Sequence, residues 1–432
     1  MSSVPTGWAS DRLKDVAAIN AVTLSAGTDL DYEFDYLEIS NVDYYGIVDP
    51  NAIERLRFED APSRARRRVT AGSTVISSVR PNLQAVAFFP DAPTCFVCST
   101  GFNVVEPQPS RLAPQFAYYH LISENARQYF EAAATGVGYP AVGDKEFNAI
   151  AVPLPPLPEQ QRIAAYLDAS CAAIDAAVAA KRRQLETLDA LRKSIIQNSV
   201  TKGLNFGAVL RDSGDGGLGD IPSHWRTDRM KDVVELRNEK TDLTSEKADY
   251  LELEDIESGS GRILNRRNTL EVESAVTIFK KGDILFGKLR PYLEKYVHAD
   301  FDGKCTGEIL AFKPTRITSR FLFYCIASPW FIGRCNTLAY GAKMPRVNWQ
   351  TQLASFNLPL PPAEEQGAIS GFLDAKLGEL GRIVENIESQ IAILTAYRKS
   401  LIHECVTGQR RVTEAGVARV RRGESESMRP NR

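Results

Sequence analysis

The chain has 432 residues, of which 44% are apolar and 25% are charged, and its formal net charge is −2. These values are those of an ordinary soluble globular protein of two or three domains. No apolar run approaches the roughly 18 residues of a membrane span, and the N-terminus lacks the pattern of a secretory signal. Seven cysteines without framework spacing favour a reducing cytoplasm. The pI near 6.2 excludes a globally basic nucleic-acid binder but not a local basic patch.

In chain order, the first feature is a segment that returns later. Residues 4–16 read VPTGWASDRLKDV, and residues 221–233 read IPSHWRTDRMKDV. Two further motifs, LPPLPEQ at 154–160 and RKSII at 192–196, recur 206 residues later as LPPAEEQ and RKSLI. Repeats of this length indicate a duplicated domain with its connector, because solenoid units are only about 20–50 residues long.

The repeated domains are predicted at 1–153 and 221–359, and their composition is mixed. Short apolar runs at 74–79, 85–89 and 283–286, separated by turn residues, predict strands. Residues 113–133 and 319–335 are predicted to be helical. The fold class is therefore α+β, with two similar mixed α/β domains.

A long amphipathic helix is predicted after each domain, within 154–202 and 360–408. Apolar residues recur at spacings of three, four or seven, which is typical of a coiled-coil seam. Prolines precede both helices, and Gly203 and Gly408 follow them as predicted stops. Residues 203–220 are rich in glycine and are predicted to be a flexible linker. Residues 409–432 carry seven arginines and are predicted to be a disordered basic tail.

The two long helices are predicted to pair with each other as an antiparallel coiled coil, which gives the chain a pseudo-twofold internal repeat. An antiparallel pair would place the domains at opposite ends of a rod and relate them by about a half turn. Such a molecule suits two half-sites on one DNA duplex. The linker is compatible with a parallel pair as well, and the helices are also compatible with packing against another protein, so these alternatives remain open.

These motifs resemble a known family. LPPLPEQQRI before a long helix, its repeat LPPAEEQGAI and the opening IPSHW resemble the specificity (S) subunit of type I restriction–modification enzymes. The resemblance covers nearly the whole chain. It departs at Gly7, where the second copy has His224, and at residues 363–364, where Ala-Glu replaces Leu-Pro.

The resemblance implies a sequence-specific DNA-recognition subunit. Each domain is expected to be a target-recognition domain that reads one half of a bipartite, asymmetric site in double-stranded DNA. The helices are expected to set the gap and to dock two methyltransferase (modification) subunits, with restriction/translocase subunits joining the complex. No cofactor is expected on this chain; S-adenosylmethionine, ATP and Mg are expected on the partner subunits.

Candidate DNA-binding residues lie in two kinds of segment in each domain. Basic clusters at 55–80 and 262–295 suit contacts with phosphates. Loops that follow Arg80-Pro81 and Arg290-Pro291, together with glycine loops near 136–140 and 341–349, suit contacts with bases or phosphates, because Arg can bond guanine and Asn can bond adenine. A solvated mixed-charge surface and plain turns are the alternatives. The predicted contact residues are Arg66, Arg67, Arg68, Arg80, Asn82, Tyr139, Lys288, Arg290, Tyr292, Lys343, Arg346 and Asn348.

Other residues give no sign of catalysis. Cys95 and Cys98 lack the further ligands of a zinc site, so no metal site is predicted. The sequence has no P-loop, methyltransferase motif, nuclease carboxylate set or nucleophile elbow. Trp8 and Trp225 are predicted to be core anchors. A catalytic DNA methyltransferase or nuclease with duplicated domains, and a coiled-coil scaffold that binds only proteins, are the alternatives.

Overall fold

The computed structural model describes residues 5–43, 46–80, 85–91, 95–241, 248–269 and 276–423. The chain divides into two units that are not contiguous in sequence. Unit 1 contains Met1–Lys181 and Ser389–Arg432, and unit 2 contains Arg182–Glu388. Each unit therefore includes one of the repeated domains and parts of both long helices.

The first domain is built from short strands and short helices. Its strands are β1 (Ala9–Arg12), β2 (Ala17–Ile19), β3 (Glu33–Leu37), β4 (Glu54–Arg57), β5 (Ala65–Arg68), β6 (Ser73–Ser77), β7 (Val86–Phe89), β8 (Phe96–Ser99), β9 (Phe102–Pro107) and β10 (Ala151–Leu154). Its helices are α1 (Leu13–Val16), α2 (Pro114–Leu121), α3 (Glu124–Ala133) and α4 (Asp144–Ala149).

The strands of the first domain form two four-stranded sheets and one pair. One sheet has the order β2-β9-β6-β7 and is antiparallel, and the other has the order β4-β3-β8-β5 with β3 parallel to β8. β1 pairs with β10 and so brings the two ends of the domain together. The predicted helix at 113–133 is two helices, because Ser123 begins α3 by accepting a hydrogen bond from the Ala126 N–H.

The first long helix, α5 (Leu157–Lys202), follows β10 after two residues. No glycine or proline interrupts it after Pro158, which lies in its first turn, where proline is tolerated. Gly203 follows it with φ +71°, the left-handed conformation typical of a residue just beyond a helix end.

The second domain repeats the first. It is preceded by β11 (Leu210–Asp212) and β12 (Asp220–Pro222) and contains β13 (Arg226–Arg229), α6 (Met230–Val233), β14 (Val234–Leu236), β15 (Lys240–Thr241), β16 (Ala248–Leu251), β17 (Arg267–Thr269), β18 (Val276–Phe279), β19 (Ile284–Gly287), β20 (Tyr296–His298), β21 (Gly303–Cys305), β22 (Ile309–Pro314), α7 (Ser319–Ile326), α8 (Pro329–Leu338) and β23 (Asn357–Leu360). The second long helix, α9 (Ala363–Val406), and a short helix, α10 (Glu414–Arg421), complete the chain as far as it is described.

The sheets of the second domain have the same topology. The order β14-β22-β19-β20 matches β2-β9-β6-β7, and the pair β13–β23 matches β1–β10. The third sheet, β15-β18-β21-β16-β17, again contains one parallel pair, β16 with β21. The internal repeat seen in the sequence is thus a repeat of the fold.

Within unit 1, the start of α5 packs antiparallel to the end of α9. Asp175 pairs with Arg398 at 3.0 Å, and Lys181 donates to Gln390. Residue numbers rise along α5 as they fall along α9, which is the signature of antiparallel helices. Leu401, Ile402, Cys405 and Val406 are buried in the same core as Leu13 and Phe116 of the first domain.

Unit 2 contains the corresponding arrangement. Ile196 and Val200, near the end of α5, are fully buried in one core with Trp225, Ile369 and Leu373. The end of α9, which follows the second domain, therefore completes the core of unit 1. The end of α5, which follows the first domain, completes the core of unit 2. The predicted fold class is confirmed in its two similar α+β domains, its two long antiparallel helices and its internal repeat.

A glutamine in the repeated Glu-Gln motif attaches each long helix to its own domain. The Gln160 side chain accepts from the Ala113 N–H at 2.8 Å and donates to the carbonyls of Arg111 and Pro155 at 2.9 Å. Gln366 does the same with the Thr318 N–H and the Pro361 carbonyl. Both glutamines are almost completely buried, so they are structural and explain why the motif occurs twice.

Two predicted segments differ in the structure. Residues 203–220 are not a plain linker, because β11 and β12 pair as a hairpin, Leu218 is buried and Asp215 pairs with Arg334. In the predicted disordered tail, residues 414–421 form α10, whose Val417 is buried in the core of unit 1. In both segments a few apolar side chains pack against the folded protein. The composition of a segment does not show whether such packing occurs.

By length and composition alone, α5 is the one described helix that could cross a membrane. Its apolar side chains have a different role here. Ile163, Leu167 and Ile174 are buried in the core of unit 1, as in the core helix of a soluble protein. Many of the remaining residues on its first half are alanines, which raise its hydropathy without forming an extended apolar surface.

Candidate nucleic-acid interface

The predicted Arg-Pro and glycine segments of the first domain meet at one place. Arg80 follows β6 and has φ +50°, and its backbone N–H donates to the Pro140 carbonyl at 2.7 Å. Its guanidinium lies 4.3 Å from the centre of the Tyr139 ring and donates to the Gly138 carbonyl at 3.5 Å. The loop at 136–140 is closed by paired backbone hydrogen bonds between Thr135 and Ala141.

The second domain builds the same arrangement. Arg290 follows β19, also has φ +50°, and donates its backbone N–H to the Pro345 carbonyl at 2.7 Å. Its guanidinium donates to the Lys343 carbonyl at 3.4 Å. The loop at 341–345 is closed by hydrogen bonds between Tyr340 and Arg346. We refer to these two matching structures as the Arg–loop elements.

Glycines make the tight loops possible. Gly136 and Gly341 have φ +112° and +108°, a conformation that other residues rarely adopt. A Cβ at Gly341 would lie 3.1 Å from the Met344 carbonyl oxygen. The shared glycine therefore follows from the backbone path of a tight turn, and the predicted contact of these loops with DNA stays a prediction.

The Arg–loop elements present exposed side chains. Val137 is fully exposed and Tyr139 is 73% exposed in the first domain, and Tyr340, Met344 and Tyr292 are more than 45% exposed in the second. Arg80 and Lys343 are exposed as well. The exposure of large apolar and aromatic side chains beside cations is the composition expected where stacked bases and phosphates are contacted.

Among the remaining predicted contact residues of the second domain, the Lys288 side chain is available to bind DNA, whereas Arg346 and Asn348 make hydrogen bonds within the protein. The ammonium groups of Lys288 and Lys343 pair with no residue in the described part of the chain. The Arg346 guanidinium instead pairs with Glu308 at 3.0 Å, and the hydrogen bonds to Glu308 raise the pKa of Arg346. Asn348 accepts a hydrogen bond from the Thr351 N–H at 3.0 Å, so it stabilises a turn.

The three consecutive arginines of the first domain have different surroundings. Arg67 donates to the Phe102 carbonyl and to Asn103 at 2.9 Å, and burial lowers its pKa. Arg66 lies over the Phe58 ring and is half-buried. Arg68 is exposed and makes no side-chain hydrogen bond or ion pair to a described residue. Asn82 lies outside the described residues.

Acidic partners neutralise most of the remaining basic clusters. In the first domain, Arg55 pairs with Glu33 and Arg64 with Glu38. In the second domain the ion pairs are Arg262 with Glu257, Arg266 with Asp300, Arg267 with Asp255, and Lys280 with Asp302. Charge counts along the sequence therefore overstate the cationic surface, and the Arg–loop elements with Arg68 and Lys288 form the better candidate interface.

Residues that the sequence singled out for other reasons have structural roles. Trp225 is 1% exposed and Trp8 packs against the core of unit 1, as expected of anchors. Asp168 and Asp374 accept hydrogen bonds from Tyr119 and Tyr324, respectively. The described residues contain no cluster of three or more His, Cys, Asp or Glu side chains that could hold a metal ion.

Comparison with known proteins adds independent evidence. A family model described as "Type I restriction modification DNA specificity domain" matches residues 5–187 and 222–392. The chain is similar to the type I restriction enzyme MjaVIII specificity subunit of Methanocaldococcus jannaschii, with 26% identity over 66% of this chain and 68% of that one. It is also similar to the EcoDI specificity subunit of Escherichia coli, with 24% identity over 70% of this chain and 71% of the relative.

Solved structures share the fold. One, described as the structural basis of complex assembly and conformational transition of the type I R-M system, matches with a TM-score of 0.75 and 20% identity, over 95% of this chain and all of that one. The HsdS subunit from Thermoanaerobacter tengcongensis matches with a TM-score of 0.52 and 20% identity, over 94% of this chain and 98% of that one.

Proposed function

The chain belongs to the type I restriction–modification DNA specificity family, and on this premise we propose that each of its domains reads one half of a bipartite, asymmetric site in double-stranded DNA. As a specificity subunit it is the non-catalytic, DNA-recognising component of a type I restriction–modification complex with methyltransferase and restriction subunits. A catalytic methyltransferase or nuclease is not favoured, because the relatives are specificity subunits.

The occurrence of one Arg–loop element in each domain carries this proposal. Arg80 and Arg290 belong to different domains, yet they share a backbone conformation, a position after a strand and a hydrogen bond from the backbone N–H to a proline carbonyl. Each guanidinium donates one hydrogen bond to a loop carbonyl, and the terminal N–H groups that remain can bond a guanine edge or a phosphate, whereas Arg290 Nε is buried.

Differences between the two elements predict different half-sites. The Arg80 guanidinium stacks on Tyr139, whereas the equivalent position in the second loop is Met344. The loop carbonyl that holds Arg290 belongs to Lys343, where the first domain has Gly138. The two domains therefore offer unlike groups on a common backbone, which is what an asymmetric site requires.

The chain also offers two equivalent attachment places for partners. The first halves of α5 and α9 each pack one face against their own domain and leave other residues exposed, including Ala172 and Gly378 at equivalent positions. We place one methyltransferase subunit on each, so that the complex contains two, with restriction/translocase subunits joining them. S-adenosylmethionine, ATP and Mg belong to those partners in this proposal.

An exchange of the first domain tests the proposal. Residues 1–153 are replaced by those of a relative, and methylated adenines in the host genome are mapped by single-molecule sequencing. One half of the methylated site is expected to change, while the other half and the gap stay the same. Deletion of about two turns from a long helix is expected to change the gap instead. A change of both halves after the domain exchange would contradict the modular proposal.

A further inference from the structure

A polar cavity in the first domain is separate from the Arg–loop element. Its volume is about 440 Å³, within the size range of small-ligand sites. The lining residues used below are Asn20, Thr23, Arg66, Arg67, Asp144 and Asn148. Amides, guanidinium groups, a hydroxyl and a carboxylate dominate this lining, so the cavity suits a ligand that makes hydrogen bonds.

The orientation of the amides beside the cavity follows from their partners. The backbone N–H of Val104 is a donor, so the atom of Asn20 that receives it at 2.9 Å is Oδ1. Asn20 Nδ2 then faces Asn103 Oδ1, also at 2.9 Å, and Arg67 donates to the same oxygen. Asn103 Nδ2 is consequently left as a buried donor without a partner among the described residues.

A buried acceptor accompanies this donor. Asn148 lines the cavity from α4, and its Oδ1 is shielded from solvent without receiving a hydrogen bond from any described residue. A buried polar atom without a partner destabilises the fold. Asn103 does not line the cavity, so of these two atoms only Asn148 Oδ1 belongs to a lining residue, and a ligand that donated a hydrogen bond to it would remove that cost.

The mixture of charges favours a nucleobase over a phosphate. Arg66 and Arg67 would attract a phosphate, but Asp144 would repel it, and a phosphate dianion has no donor for Asn148 Oδ1. The edge of a base carries donors and acceptors side by side and satisfies amides, guanidinium groups and a carboxylate together. The cavity is also large enough to take a whole base.

The cavity adjoins the candidate DNA surface through the backbone. Ala141, which closes the loop of the Arg–loop element, bridges to Val79, and the Val142 N–H donates to the Ser78 carbonyl at 2.9 Å. Asp144, the first residue of α4, follows two residues later. These backbone contacts join the cavity-lining residue Asp144 to the loop beside Arg80.

At the positions equivalent to Asn20 and Asn103, the described residues of the second domain form no such amide network. Arg237, which occupies the position of Asn20, forms an ion pair with the buried Asp283 at 2.7 Å. Leu310 stands in β22 at the position that Asn103 has in β9. The unpartnered amide is therefore particular to the first domain.

We propose that this cavity is a base pocket that receives one unstacked nucleobase from the half-site read by the first domain. The proposal rests on the proposed DNA-reading function and deepens it. The hydrogen bonds that the correct base makes with Asn148 and Asp144 offset the cost of unstacking it. A base whose edge has the wrong arrangement of donors and acceptors leaves these groups unpaired. The pocket therefore contributes to specificity at one base position of the half-site.

The test uses the full chain without methyltransferase subunits, because those enzymes unstack bases themselves. Duplexes that contain the genomic site carry 2-aminopurine at each half-site position in turn. Binding is followed by gel shift and by 2-aminopurine fluorescence. Three variants are compared with the wild type: Asn148→Leu, which removes the buried acceptor; Thr23→Trp, which obstructs the cavity; and Asn51→Leu, an exposed control in the same domain.

A several-fold rise in fluorescence is expected at one position of the first half-site and at none in the second. Asn148→Leu and Thr23→Trp are expected to abolish the rise and to lower affinity about tenfold, whereas Asn51→Leu keeps both. Binding without a fluorescence rise at any position would overturn the base pocket and leave the DNA-reading function standing. Absence of site-specific binding by the wild-type chain would overturn both.

Discussion

Arg398 on α9 donates to Asp175 on α5, with 3.0 Å between the paired atoms, although the two residues are 223 positions apart in sequence. The Arg398 side chain is only 16% exposed. The pair lies within unit 1, between the first half of one long helix and the last half of the other. The pair therefore helps to fix the antiparallel register of the two helices. The sequence repeat alone is compatible with either a parallel or an antiparallel direction.

Replacing Gln160 tests the attachment of α5 to the first domain. Gln160→Ala is expected to reduce the free energy of unfolding by about 3 kcal/mol, because a buried N–H and two carbonyls lose their partners. Thermal unfolding of the full chain measures the effect. Gln161→Ala, a change at the exposed neighbour, serves as the control and is expected to leave the midpoint unchanged. Equal effects of the two substitutions would contradict the buried role.

The neighbours Arg67 and Arg68 are expected to have separable effects. Arg67→Ala is expected to destabilise the first domain by roughly 2 kcal/mol, since two hydrogen bonds from a charged group are lost. Arg68→Ala is expected to leave stability unchanged and to reduce the salt dependence of DNA binding by about one phosphate contact. Unfolding midpoints and titrations at several salt concentrations distinguish the two. The same loss of stability in both variants would refute the distinction.

Substitutions in the two Arg–loop elements should relax different half-sites. Arg80→Ala is expected to reduce discrimination by about 1–3 kcal/mol at a position in one half-site, and Arg290→Ala in the other, if each guanidinium contacts a base. Competition binding with singly substituted duplexes measures this. Arg12→Ala removes an exposed arginine that pairs with Asp15 and should change neither half-site. Loss of affinity that is uniform across all duplexes would assign Arg80 and Arg290 to phosphates instead.

Burial of His120 predicts a pH dependence of stability in unit 1. Desolvation lowers its pKa to about 4 in the folded chain, so between that pH and 6.5 the unfolded chain binds a proton that the folded chain does not. Stability is therefore full above pH 6.5 and falls by roughly 3 kcal/mol as the pH drops to 4. His120→Cys introduces the residue that the second domain carries at this position, Cys325. Thermal unfolding between pH 4 and 7 should show a shallower dependence in this variant, and an unchanged slope would contradict the assignment.

The repeat, the long helices and the Arg–loop elements could be predicted because their signals are local. LPPLPEQ and LPPAEEQ mark helix starts, and the loops near 136–140 and 341–349 are recognisable from glycine and proline. The antiparallel direction was predicted from its suitability for two half-sites and not from a local signal, because the contacts that fix it, such as Asp175 with Arg398, join residues that are distant in sequence.

The individual cations were harder to assign for the same reason. The partner of Arg67 is Asn103 on another strand, and the partner of Arg346 is Glu308. Neither partner is near in sequence, so a count of basic residues does not separate structural arginines from free ones. The base pocket depends on Asn148 of α4 and on residues of β5 and of the segment after β2, which only the folded domain brings together.

The composition of the two units has a consequence for synthesis on the ribosome. The first domain emerges early, but Leu401, Ile402 and Val406, which complete the core of unit 1, are translated only after the whole second domain. A nascent chain therefore exposes an unfinished apolar surface on its first domain until nearly all of α9 has left the exit tunnel. Folding of unit 1 therefore cannot finish before α9 is made, and termination of synthesis before Leu401 would leave unit 1 without its closing helix segment.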